Sequence, residues 1–163
     1  MSFLPRASHR RPAWGLSACK TWIVRSPKAQ RVVEAFDTNV VVRLLVRDDE
    51  EQYQRAELVL RRVTAGPGAW LSSVVLAEVA WVLRGAYKFD RPTITAALHR
   101  LITIDGVHVE DGATTLLALA SFEAGSADFA DYFILESARR GGALPLHTFD
   151  ERLSRSDGAK LVG

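Results

Sequence analysis

A single cysteine, Cys19, occurs in 163 residues. It excludes an internal disulfide and any cysteine-based zinc cluster, and such sparing use fits a protein of the reducing cytoplasm. Histidine is nearly as scarce. His99 and His108 stand alone, with no second histidine at metal-ligand spacing, so zinc has no nitrogen ligand set to use. No apolar run approaches the ~18 residues that a membrane-spanning helix needs. With 48% of its residues apolar, the chain suits one soluble domain with a full core, and its length is too short to suggest two.

The net charge of +2 and a pI near 8.9 suggest a mild affinity for nucleic acid, but the charge is unevenly spread. Of 21 basic and 19 acidic side chains, seven basic ones (Arg6, Arg10, Arg11, Lys20, Arg25, Lys28, Arg31) and one acid, Glu34, fall in residues 1–34. The other 14 basic and 18 acidic groups leave residues 35–163 at −4. A basic leader, residues 1–32, therefore precedes an acidic domain, residues 33–163. With Pro5, Pro12 and Pro27 and no periodicity, the leader reads as a flexible arm. It fits three roles: an organelle transit peptide, an arm that holds phosphates, or translation from a start placed too early. Met1 is the only methionine, so the third role needs a valine start at Val32 or Val33; it is the one favoured.

Short strands alternate with helices through the rest. Val33 to Phe36 lead to Asp37, and Thr38-Asn39 open a second apolar run; the pattern predicts a short buried strand passing into a helix over Val40–Val46. The acids Asp48 to Glu51 form a solvated start for a helix over Glu51–Thr64, which Gly66-Pro67-Gly68 ends. Ala69–Ser72 is a strand, and Ser73 caps a helix from Val74 to about Ala86. That helix is apolar on nearly all sides and is expected to lie in the core. Further helices are expected from Asp90 or Pro92 to Thr103, from Asp111 to Phe122, and from Ser126 or Asp128 to Arg140, with strands at Gly106–Val109 and Ala143–His147. This order implies an α/β domain with a short, mostly parallel central sheet flanked by helices.

Five acids stand out in that frame. Asp37 and Asp150 follow strands, where open α/β sheets keep their ligands, although an Asp before a helix is equally an N-cap. Glu78 sits mid-helix among apolar residues. A buried carboxylate costs several kcal/mol unless it is paired, protonated or metal-bound, and Arg84 is one available partner. Asp128 and Asp131, three apart, share a helix face and repel. Brought together by a parallel sheet, such carboxylates offer only oxygen and suit Mg²⁺ or Mn²⁺. Two such ions about 4 Å apart can activate water and stabilise the leaving oxygen of a phosphodiester.

Taken together, Asp37-Thr38-Asn39 with its apolar flanks, Glu78 in Leu76-Ala77-Glu78-Val79, Ala127-Asp128-Phe129-Ala130-Asp131 and Thr148-Phe149-Asp150 resemble a PIN domain, and within that family the VapC-type toxins of bacterial toxin–antitoxin pairs. The resemblance covers about residues 33–163, and the leader has no counterpart in it. It implies that Asp37, Glu78, Asp131 and Asp150 are the acidic quartet that binds Mg²⁺ or Mn²⁺ and carries catalysis. Asp128 is an added acid one turn earlier and a further metal ligand. Thr38 and Asn39 support Asp37, and Thr148 is a further auxiliary residue. It also implies a cytoplasmic ribonuclease that cuts RNA, forms a homodimer and is blocked by a cognate antitoxin protein.

The aromatics Trp70, Trp81, Tyr87 and Phe89 are candidates for such protein contacts as well as for the core. Two other functions compete. Haloacid-dehalogenase-type phosphatases also carry an Asp after the first strand, but they need a second acid where this chain has Asn39. A PIN-like binding or scaffold module without catalysis is the non-enzymatic alternative.

Overall fold

The computed structural model describes residues 33–163; the leader, and with it the division at residue 32, lies outside the described residues. The first strand, β1 (Glu34–Ala35), is only two residues long, and the chain turns at Asp37 into α1 (Thr38–Val46). Asp37 is the N-cap: its Oδ1 accepts the Val40 N–H at 2.9 Å. The Thr-Asn start thus decides for helix in a valine-rich segment, two residues earlier than Val40. A carboxylate in that place satisfies one of the donors a helix start leaves free.

The next helix, α2 (Glu50–Thr64), has Asp49 as its N-cap, Glu50 and Glu51 in the first turn and Arg61 and Arg62 in the last, which suits both ends of the helix dipole. Its acidic start is solvated as expected, with Asp48, Glu50 and Glu51 exposed, and Asp48 also makes a tertiary tie. Asp48 accepts Arg43 at 2.6 Å and the Tyr87 hydroxyl at 2.6 Å, tying α1 to the loop after the third helix. The strand β2 (Ala69–Leu71) follows, entered through Gly68 at φ +102°. A Cβ on Gly68 would stand 2.7 Å from the His108 ring, so both the backbone angle and the close approach demand glycine there.

Ser72, one residue before the expected Ser73, caps α3 (Ser73–Gly85) by accepting the Val75 N–H at 3.2 Å. This helix corrects one expectation. Leu76, Val79, Ala80 and Leu83 are buried, but Val74, Glu78 and Trp81 share an exposed face. Their i, i+4, i+7 spacing puts them on one stripe, so the helix is half-sunk and the Glu78 carboxylate faces water instead of core.

Two further Asp caps start α4 (Arg91–Ile102) at Asp90 and α5 (Gly112–Ala124) at Asp111, with β3 (Val107–Val109) between them. Asp128 precedes α6 (Phe129–Arg140). After it come β4 (Leu146–Thr148), a 3₁₀ turn at Leu153–Arg155 and β5 (Ala159–Leu161).

The strands form two parallel sheets. One has the order β1-β2-β3, with Glu34 opposite Ala69 and Ala69 opposite Val107; the other pairs β4 with β5, Leu146 opposite Ala159. The α/β class and the parallel pairing are as expected. So is the short central sheet, which has three strands; β4 lies outside it and takes its partner from β5, a strand of three residues too short and too polar to be legible in Ala159-Lys160-Leu161. The core lies between the three-stranded sheet and its helices, around Val41, Leu76, Leu83, Ile94, Phe122, Phe129 and Leu135. No described helix is long and apolar enough to cross a membrane.

Candidate active site

The expected site residues fall mainly on two sides of α3, which packs on α1 and on α6. On the α1 side, the Thr38 hydroxyl donates to Glu78 Oε2. This bond joins the first turn of α1 to the middle of α3. Asp37 is exposed beside it, and so is Asn39. Both line a groove of about 500 Å³ between β1, α1 and α2.

On the α6 side lies a smaller cleft of about 240 Å³, walled by Ala77, Ala80, Trp81 and Arg84 of α3, by Phe122, and by Asp128 to Asp131. Asp131 reaches back so that its Oδ2 accepts the Asp128 N–H at 3.0 Å, which holds the two acids in one turn. Asp128 Oδ1 forms an ion pair with Arg84 Nη1. The sequence offered Arg84 as a partner for Glu78; it goes to Asp128 instead.

Asp150 sits at the end of β4 in a tight turn. Its backbone N–H donates to Thr148 Oγ1 at 3.0 Å, so that threonine braces the turn that carries Asp150. Its carboxylate accepts the Arg152 backbone N–H at 2.6 Å, the Leu153 N–H at 3.2 Å and Arg152 Nη2 at 3.0 Å. These bonds hold its carboxyl below the ordinary carboxylate range, the Arg152 side chain contributing most. Asp131 moves the other way. Burial, and after it the charge of Asp150, push its carboxyl above the ordinary range, while Arg152 and Arg84 partly offset the effect. The Asp131 carboxyl therefore feels the charge of Asp150 from a separate segment, with Arg152 beside Asp150 and Arg84 on Asp128 close enough to offset it.

The acids thus form neighbouring pairs and not one closed cage. Among the described residues, no three or more Asp, Glu, His or Cys side chains stand together at metal-holding distance. By donor type the residues fit a hard cation: they offer oxygen alone, and the Asp131–Asp150 repulsion is of the kind a divalent ion relieves. Sequence reasoning missed Arg152 as a counter-charge, gave Arg84 to the wrong acid, and left Trp81 undecided between core and surface. Only Arg152, two residues after Asp150 in a turn, carried a local signal.

The opposite shifts give a sign-specific expectation for stability. A raised folded-state value means that Asp131 holds its proton more tightly in the fold than in the unfolded chain. Its charged form then weighs against folding, increasingly as pH rises from the unfolded value through the raised one. In chelator, Asp131→Asn is expected to raise the melting temperature near neutral pH and to give no gain below the ordinary carboxylate range. The Asn Oδ1 still accepts the Asp128 N–H. Equal melting temperatures at neutral pH would show that this carboxylate is not desolvated. Asp150 contributes with the opposite sign, its stabilisation being lost as pH falls through its lowered value.

Parallel strands, crossover helices and oxygen donors at helix starts define an α/β domain of the kind that keeps its chemistry beside strand ends. The family model described as PIN domain matches residues 35–159. The chain belongs to the PIN domain family, whose fold is in general that of nucleases, usually dependent on divalent metals. No curated protein matches it.

Proposed function

We propose that the protein is a Mg²⁺- or Mn²⁺-dependent endoribonuclease of the VapC type, the toxin of a toxin–antitoxin pair acting on RNA in the cytoplasm. The observation that carries this reading is the half-buried Asp131, near enough to Asp150 to feel its charge, inside a domain of the PIN family. Asp37, Glu78, Asp131 and Asp150 would hold the ion, with Asp128 as an additional ligand. A divalent ion held there supplies activated water and neutralises charge on the phosphate.

The chain's own groups do the positioning. Asp37 is set by its cap to α1, and Thr38 fixes the Glu78 carboxylate by donating to it. The backbone of α6 sets Asp131. The starts of α1 and α6 bring positive dipole ends to a site that must accept a phosphate. Arg84 and Arg152 stand beside Asp128 and Asp150, and would be able to turn to phosphate oxygens were those carboxylates to hold a cation instead. A cognate antitoxin and a second copy of the chain are the proposed protein partners.

Purified protein is expected to cut structured RNA in excess Mg²⁺ or Mn²⁺ and to stop in chelator. The arginine pairing of Asp128 and Asp150 favours one alternative, a PIN-like binding module without catalysis. Intact RNA under both metals would leave that alternative standing.

A further inference from the structure

Of the four aromatics near the middle of the chain, three are at least half-covered, and Trp81 alone stands 73% exposed. It does so while walling the cleft that holds Asp128, Asp131 and Arg84. A large flat ring left in water beside a guanidinium and a set of carboxylates serves no core. Its neighbours Val79, Ala80 and Leu83 already fill the buried side of α3. We propose that Trp81 is a stacking platform for an unpaired nucleobase of the substrate, with Arg84 beside it for the adjoining phosphate.

This rests on the nuclease reading and deepens it by assigning a base-contacting residue at the site, one that needs the RNA unpaired where it is held. Bases within an A-form duplex present no free face, whereas unpaired bases stack on aromatic rings and guanidinium planes. Phe149, 81% exposed and directly before Asp150, offers a second ring of the same kind.

A second copy of the chain is the competing occupant of this face. Glu78 lies on the same stripe between Val74 and Trp81, so protein packed there would cover a carboxylate and remove it from water. Solvated RNA over the ring leaves that carboxylate free to act.

The test is a thermodynamic cycle on binding, read by fluorescence anisotropy in Mg²⁺ with Asp37→Asn as the background to suppress cutting. The probes are a labelled oligoadenylate single strand, the same strand annealed to oligouridylate, and an abasic ribose-phosphate oligomer of equal length. Trp81→Ala is expected to weaken oligoadenylate binding about tenfold and to leave the duplex and the abasic oligomer unchanged, whereas Trp81→Phe stays within about threefold of the background. Because the ring is exposed, the substitution leaves the core packing in place, and circular dichroism checks this.

Equal losses on oligoadenylate and abasic oligomer, or no loss on either, would overturn the proposal. So would a fall in oligomeric state by sedimentation that accompanies the loss, since the ring would then belong to a subunit contact. RNA cutting by the parent with binding indifferent to Trp81 sinks this proposal alone. A parent that neither binds nor cuts any RNA sinks the nuclease reading with it.

Discussion

Asp37→Asn protein is expected to fold like the parent and to cut RNA slower by at least on the order of a hundredfold in excess Mg²⁺. The substitution separates the two roles of this residue. As the N-cap of α1, Asp37 works through one oxygen, Oδ1, which accepts the Val40 N–H. Asn supplies the same oxygen and caps about as well, so stability should change by less than about 1 kcal/mol. In its proposed role as a metal ligand, Asp37 would work through its charge, which Asn lacks. Asp37→Ala would remove both roles and could not tell them apart. Asp128→Asn should be milder on activity, because Asp128 is engaged by Arg84 and its removal frees a cation at the cleft. The comparison is RNA cleavage by parent and variant in Mg²⁺ and in chelator. Equal rates in all four conditions would remove the metal-nuclease reading, and metal-dependent cutting at the parental rate by the variant would move Asp37 out of the site.

The largest expected loss of stability is at Phe122, on the far wall of the same cleft. Its side chain is 2% exposed, meets Phe129 edge-on with ring centroids 6.1 Å apart at 83°, and lies 4.1 Å beneath the Arg91 guanidinium. Phe122→Ala removes the buried ring, the aromatic pair and the cation's seat together. The cost should be about 3–5 kcal/mol, a large share of the ~5–15 kcal/mol that holds a typical domain. Burial lowers the Arg91 pKa, with the charge of Arg84 adding to the effect, so its ring contact and its bond to the Ala127 carbonyl at 3.0 Å replace water that it has given up. Urea unfolding with an unchanged m value measures the loss. A cost below about 1 kcal/mol would show that the ring is not packed as described. A variant that unfolds outright is replaced by Phe122→Leu, which keeps most of the volume and should lose less.

The helix starts were legible in the sequence because capping is a local matter. Asp37, Asp90, Asp111 and Asp128 each stand directly before the helix they begin, and for the first three the bonded N–H lies within three residues. The alternation of strands and helices, the parallel pairing and the family resemblance were likewise carried by short stretches whose meaning does not depend on what lies across the molecule. The same locality hid a fact about the site. A cap and a metal ligand call for the same residue in the same place, so no sequence pattern could separate the two for Asp37 or Asp128.

Tertiary structure alone decided where each charge finds its counterpart. Glu78 was expected in the core with Arg84 as a partner six residues on. Packing α1 against α3 brought Thr38 to Glu78 instead, and packing α6 against α3 turned Arg84 to Asp128. Which stripe of an apolar helix faces water depends on how many neighbours cover it, and α3 has too few to hide Val74, Glu78 and Trp81. The division of the strands into two sheets has the same origin, since a strand pairs with whichever edge the fold delivers to it, and β5 delivered one to β4. A carboxylate's pKa follows suit: Asp131 and Asp150 carry identical side chains, yet burial raises one and the arginine beside it lowers the other, because solvation and charge partners are properties of the folded surroundings and not of the residue.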